Sequence, residues 1–198
     1  MSQIKPIAIL ILLALSLQAE AQAYATLRTG DLLLQGSQLS TMEQAIASST
    51  GQYTHIALVE RDSTGRLYVI EAIPSQGVRR VPLTPIWGLY DAYRMTVPFD
   101  SADVLRRAKA LIGLPYDEAF LHDNDAYYCS ELIYECYRNA DGGHLFKAQP
   151  MNFRDEKGRL PRYWRRHFRR LHLPVPEGQP GTNPTDLARS PLLRRLGQ

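Results

Sequence analysis

The 198-residue chain reads as an α+β fold in which a small antiparallel sheet packs against helices. Three observations carry that reading. Thr54–Glu60 and Leu67–Ile73 are β-type runs joined by Asp62-Ser63-Thr64-Gly65, which is turn chemistry, so they form a hairpin. Val104, Leu105, Ala108, Leu111 and Ile112 make an apolar stripe of 3.6-residue period. Strands crowd the first half and helices the second, which argues against a doubly wound α/β sheet. With 44% hydrophobic and 22% charged residues the chain has a real core. That excludes a disordered polymer or fibrous repeat, and the length suits one domain rather than two large ones.

The N-terminus reads as an address. Met1 to Lys5 carry one positive charge, Ile7–Leu17 is apolar apart from Ser16, and Ala19-Glu20-Ala21 and Ala21-Gln22-Ala23 are small-residue cleavage sites. This is the pattern of a secretory signal peptide over residues 1–23, cut after Ala23. Such a run is too short to span a bilayer, and no later segment is apolar enough to do so. The expected protein is exported, periplasmic or secreted.

Along the mature chain, Thr29-Gly30-Asp31 is a turn and Leu32–Leu34 a short strand. Ser40–Ser48 has helical spacing, with Ser40 and Glu43 placed as a capping box, and Gly51 ends it. The hairpin follows, with His55, Ala57 and Val59 on one face of its first strand and Ile56 and Leu58 on the other. Val78–Leu83, ended by Pro82 and Pro85, and Asp91–Val97 are further strands. Ser101 caps the striped helix, which Gly113 and Pro115 stop. A polar loop covers Asp117 to Asp125, and Tyr127–Asn139 returns to helical spacing, with Gly142-Gly143 beyond it. Pro161–Arg170 is a short basic helix. Residues 174–198, rich in Pro, Gly and Thr, read as an extended basic arm beyond a domain spanning residues 24–173.

The net charge of +3 hides an asymmetry: residues 24–153 sum to −4 and residues 154–198 to +7. A basic end of this kind suits weak contact with an anionic surface, or is a solvated arginine face. The charge would also suit nucleic acid, but an exported protein rarely meets it, so no nucleic-acid partner is expected. The five histidines (55, 122, 144, 167, 172) lack the paired spacing with Cys or carboxylate of a zinc site, so no metal and no cofactor is expected. Two cysteines are too few for a disulfide scaffold. Seven residues separate Cys129 from Cys136; on one helix that is about 10 Å, beyond the reach of a disulfide. They stay unpaired.

Thiol hydrolysis needs a cysteine whose thiolate is favoured, best at a helix N-terminus, an imidazole, and a polar group orienting it. Cys129 stands at the first turn of its helix, His55 opens a strand, and Glu71 lies among Val69, Ile70 and Ala72 in the partner strand. A carboxylate so flanked needs a partner, which His55, Arg79 or Arg80 could be. Cys129 with Leu132 and Cys136 equally fits an apolar helix stripe.

Gly30-Asp31-Leu32, His55-Ile56-Ala57-Leu58-Val59, Ile70-Glu71-Ala72, Gly113-Leu114-Pro115-Tyr116 and Cys129-Ser130-Glu131-Leu132-Ile133 stand in that order. The set resembles the motifs of NlpC-type cell-wall peptidases with the two halves exchanged, as in the circularly permuted papain-like amidases of the YiiX/YaeF type. The resemblance implies a permuted papain-like fold, its antiparallel sheet packed on the helix that bears the nucleophile. It implies Cys129 as nucleophile, His55 as general base and acid, and Glu71 as third member. It also implies hydrolysis of an amide, in a cell-wall stem peptide or an amino-acid amide or N-acyl amino acid, through a thioester. An acyltransferase or lipid hydrolase on the same scaffold, with Tyr163, Trp164 and Phe168 meeting a membrane, and a non-catalytic envelope module are the alternatives. The Cys129 N–H would serve the oxyanion hole, with Tyr116 as second donor; Ser130 and Asp117 are further candidates for oxyanion or substrate contact, Asp117 toward an amine. Glu131 stands where the family has glycine, which would alter the pocket.

Overall fold

Six strands make one antiparallel sheet: β1 (Leu32–Gln35), β2 (His55–Arg61), β3 (Leu67–Ile73), β4 (Gly77–Pro82), β5 (Asp91–Met95) and β8 (Leu193–Arg195), in the order β4-β3-β2-β1-β5-β8. A separate short ladder joins β6 (Gln149–Pro150) to β7 (Pro180–Gly181). The helices are α1 (Thr41–Thr50), α2 (Ser101–Ala110), α3 (Cys129–Cys136), α4 (Arg162–Leu171) and α5 (Pro184–Arg189). The structure is a computed structural model and describes residues 25–36, 39–84 and 90–197. The expected signal peptide and Pro85 lie outside the described residues.

Strand alternation divides the core as the sequence pattern requires. Leu32, Leu34, Ile56, Leu58, Ile70 and Ala72 point to one face and pack with Val104 and Ala108 of α2 and with Leu132, Ile133 and Cys136 of α3. The intervening Leu33, Ala57, Val59 and Val69 point the other way and form a smaller cluster with Leu27 and Leu83. Each Leu, Ile or Val among them contributes roughly 1.5–3 kcal/mol on burial, and a one-residue slip would exchange the two faces, so the register is strongly specified. A third cluster is aromatic. Trp164 meets Phe120 (5.4 Å between centroids) and Phe153 (5.1 Å) edge to face, and Phe168 packs on Phe153 at 5.3 Å, which fastens α4 to the body.

The Gly30-Asp31 turn is structural. Gly30 has φ +90, and a Cβ there would stand 2.5 Å from the Phe99 ring. The Asp31 carboxylate accepts from the Arg28 N–H (2.8 Å) and from Arg94 Nε and Nη2 (2.7 and 2.6 Å).

Several boundaries differ from the sequence reading. The Ser40 capping box is present at α1. At α2 the cap is Asp100, whose carboxylate accepts from Ala102 and Asp103, with Ser101 the first helical residue. The helix expected over 127–139 is only α3. Residues 174–198 are not an extended arm: Asn183 caps α5, Leu187 and Leu193 enter the main core, and β8 closes the sheet edge on β5. Their Pro and Gly content marks tight turns rather than lack of structure, and the apolar residues between those turns supply enough burial to order the segment.

Candidate active site

The first turn of α3 is held from two directions. The Tyr127 N–H donates to the Pro115 carbonyl at 3.0 Å, closing the 117–125 loop at its base. The Glu131 carboxyl reaches back to the Tyr128 N–H at 3.3 Å and lies 3.2 Å from His122 Nδ1. Burial, then the charge of Asp117, pushes Glu131 up to about 9, so it is a neutral acid at neutral pH. Glu131 lines neither of the two cavities beside Cys129. Glu131 is therefore spent on the helix cap, and the expectation that it reshapes the pocket is corrected.

Cys129 is the first residue of α3, and its backbone N–H has no intrahelical acceptor. His55, the first residue of β2, hydrogen-bonds to the Cys129 side chain. Its Nε2 pairs with Glu71 Oε2 at 2.6 Å, which leaves Nδ1 for the sulfur. The β2–β3 ladder runs from Leu58↔Ile70 to Arg61↔Leu67, so His55 and Glu71 sit beyond its end, where their side chains meet. Glu71 is buried, and its other oxygen accepts from Arg79 Nε (3.0 Å) and Nη2 (2.7 Å) across the β3–β4 pair. Arg80 turns instead to Glu60 at 2.6 Å. The histidine and arginine readings of the Glu71 partner are thus both fulfilled, by different oxygens of one carboxylate.

Burial alone would lower His55, but its bonds to Cys129 and Glu71 outweigh that and hold it at about 10. Burial alone would raise Glu71, but His55 and Arg79 hold it below the usual carboxylate range. The imidazolium is the favoured form.

Tyr116 reaches the site through a backbone clamp. The Val78 N–H donates to the Leu114 carbonyl (2.9 Å) and the Gly113 N–H to the Val78 carbonyl (2.8 Å), which ties the Gly113-Leu114-Pro115-Tyr116 segment to β4. Gly77 permits the approach: its φ is +68, and a Cβ would stand 2.2 Å from the Leu114 oxygen. Tyr116 lines both cavities beside Cys129. Burial, then the Cys129 side chain, holds its phenol far above the ordinary value, so it is a neutral donor.

One cavity, of about 410 Å³, is an open cleft containing His55, Glu71 and Arg79, with Gln35 and Glu43 on its wall. The other, of about 40 Å³, is a small slot that shares Ile46, Thr54, Tyr116 and Cys129 with the cleft and is walled further by Phe120, Phe153, Trp164, Ser130, Thr182 and others. Ser130 Oγ and Trp164 Nε1 are buried without a hydrogen-bond partner, and both residues wall this slot, as does Thr182, whose side chain bonds to Tyr128. Leaving such an atom unsatisfied costs about 1–3 kcal/mol.

The remaining candidates go elsewhere. Asp117 is buried, lines neither cavity, and spends its carboxylate on the Ala119 and Leu121 N–H groups at 2.8 and 2.6 Å, so the reading that it meets a substrate amine is corrected. Trp164 and Phe168 are buried in the aromatic cluster, which removes them from any membrane contact. The α4 arginines 162, 165, 166, 169 and 170 face solvent, while Arg189 and Arg195 of the last segment pair with Asp186 and Asp91. Cys136 is fully buried and its thiol is pushed up to about 12 by burial, so both cysteines are free but only Cys129 stands at the site. Sequence reasoning missed Trp164 and Thr182 as pocket walls. They lie 35 and 53 positions beyond Cys129, and no local pattern links them to it.

The profile of the permuted papain-like amidase family, described as YaeF/YiiX, C92, matches residues 26–197. A curated relative, the uncharacterized protein YiiX of Escherichia coli strain K12, is 30% identical over 152 residues, or 72% of each chain. A crystal structure of metalloprotein yiiX from Escherichia coli O157:H7 superposes with a TM-score of 0.72 at 24% identity, covering 86% of this chain and 97% of that one. Among the described residues here, no group of three or more His, Cys, Asp or Glu is placed to hold a metal ion.

Proposed function

Because the chain belongs to the permuted papain-like amidase family of the YaeF/YiiX type, we propose that it is an exported cysteine amidase acting through a thioester acyl-enzyme. The observation that carries the reading is His55 held between Cys129 and a buried Glu71 that is itself clamped by Arg79.

In the first half-reaction Cys129 Sγ bonds to the amide carbonyl carbon, and the oxygen gathers negative charge against the Cys129 N–H and the Tyr116 hydroxyl. The C–N bond then breaks, and His55 gives its proton to the departing nitrogen. In the second, water attacks the thioester while His55 takes its proton; the C–S bond breaks and a carboxylic acid leaves. Glu71 keeps the imidazole oriented and stabilises its positive form throughout. Peptidoglycan stem peptides and acyl-linked amino acids are the proposed substrates. The signal-like residues 1–23 support delivery outside the cytoplasm, and no helix of the described residues is long and apolar enough to cross a membrane.

The test is turnover of cell-wall fragments and acyl-amino-acid amides by purified protein, wild type against Cys129→Ala. Loss of roughly 10³-fold or more is expected. Turnover unaffected by the substitution would refute the nucleophile.

A further inference from the structure

Resting on the amidase reading, we infer that the slot beside Cys129 is the acyl-side specificity pocket, and that it takes a small uncharged group carrying a hydrogen-bond acceptor, such as a hydroxyl or carboxamide side chain.

The side of the sulfur follows from the chemistry. His55 must reach the leaving nitrogen to protonate it, so the amine portion lies in the open cleft that contains His55. Cys129 lines both cavities, so the acyl portion of a substrate bonded to its sulfur faces the slot.

The walls then select. About 40 Å³ admits on the order of three or four heavy atoms, which excludes an aromatic or long aliphatic side chain. No Asp, Glu, Lys or Arg is among the lining residues, so an entering ammonium or carboxylate would lose its hydration without gaining a counter-charge. The two orphaned atoms require the complement. Trp164 Nε1 can only donate, while the Ser130 hydroxyl both donates and accepts, so the fitting group presents an acceptor oxygen. The Thr182 N–H is already held by the Tyr128 hydroxyl at 3.0 Å, which fixes this wall.

The experiment measures the rate at which aminoacyl chloromethyl ketones alkylate Cys129, followed by intact-protein mass. Side chains of alanine, serine, asparagine, lysine, glutamate and phenylalanine are compared, and hydrolysis of the matched aminoacyl amides is measured in parallel. Asparaginyl and seryl probes should react at least roughly tenfold faster than lysyl, glutamyl or phenylalanyl ones. Ser130→Ala, which removes an orphaned hydroxyl with little change of volume, should shrink the asparaginyl-to-alanyl rate ratio roughly tenfold, the value of one net hydrogen bond; Trp164→Phe, which removes the indole N–H and widens the slot, should lower the same ratio and raise the phenylalanyl rate. Lysyl or glutamyl labelling as fast as asparaginyl, or a ratio unchanged in both variants, overturns the assignment. Probes that discriminate while no amide is hydrolysed uphold the slot and refute the amidase. Hydrolysis of all the amides at one rate upholds the amidase and refutes the slot.

Discussion

Glu71→Gln removes one negative charge from the pair that sets His55 while nearly preserving shape. In the wild type the carboxylate stands 2.6 Å from Nε2 and only 2% of its side chain is exposed, so solvent screens the pair weakly. An opposite charge this close raises an imidazole by roughly 1–3 units, or about 1.4–4 kcal/mol. The Cys129 bond remains in the variant and ranks above Glu71 among the causes, so His55 should fall from about 10 by that much and not collapse further. The sign is definite. The protonated ring is the general acid, so kcat/KM declines as pH rises through the His55 pKa, and the variant should lose activity at lower pH. The assay is the alkaline limb of the kcat/KM profile, measured beside an NMR titration of the His55 ring carbons. Both should move down together by roughly 1–3 units. A limb and a ring titration that stay at their wild-type positions would refute the claim that Glu71 holds the imidazolium.

Three further outcomes follow from the same geometry. Glu131 binds a proton in the folded state up to about 9 but near 4.5 when unfolded, so its contribution to stability falls as pH rises through that window, by up to about 1.4 kcal/mol per unit. Glu131→Gln mimics the protonated form, so its melting temperature should exceed that of the wild type at pH 8 and match it near pH 5; a wild type that melts higher at pH 8 contradicts the assignment. Thiol titration of the native protein should find one reactive group, lost in Cys129→Ala, with Cys136 labelled only after denaturation and no intramolecular disulfide after mild oxidation. Gly77→Ala adds a Cβ 2.2 Å from a backbone oxygen at positive φ, and should destabilise the fold by about 1–3 kcal/mol, read as a lower urea midpoint at unchanged slope.

The parts of the fold that were legible are those written in short-range pattern. The β2–β3 hairpin, the α1 capping box and the two faces of β2 follow from residues within one or two turns of one another. The helix expected over 127–139 ends early although its apolar spacing continues past Cys136, because Tyr137 leaves it to place its hydroxyl on the Gly30 carbonyl at 2.6 Å. The 174–198 segment packs although its composition reads as an arm, because Pro and Gly content reports backbone freedom without reporting that Leu187 and Leu193 have a core to enter. Trp164 and Phe168 suggested an apolar face for a membrane, and their spacing is the same whether the cluster beneath them is lipid or Phe120 and Phe153.

By itself the sequence determined the chemistry available: an unpaired thiol at a helix start, an imidazole at a strand start, and a carboxylate among β-branched neighbours that had to find a partner. It also determined the order of motifs that marks the permuted family. The tertiary structure decided which groups act together. Cys129, His55 and Glu71 lie on three elements, and Glu71 bridges His55 to Arg79 only because sheet pairing stacks them. The slot has walls drawn from positions as far apart as Ile46 and Pro184. Periodicity and capping act over a few residues, whereas desolvation and the orphaning of a polar atom depend on everything that surrounds it. Where water is excluded is a property of the packed chain, and that exclusion separates Cys129 from Cys136 and Glu131 from Glu71.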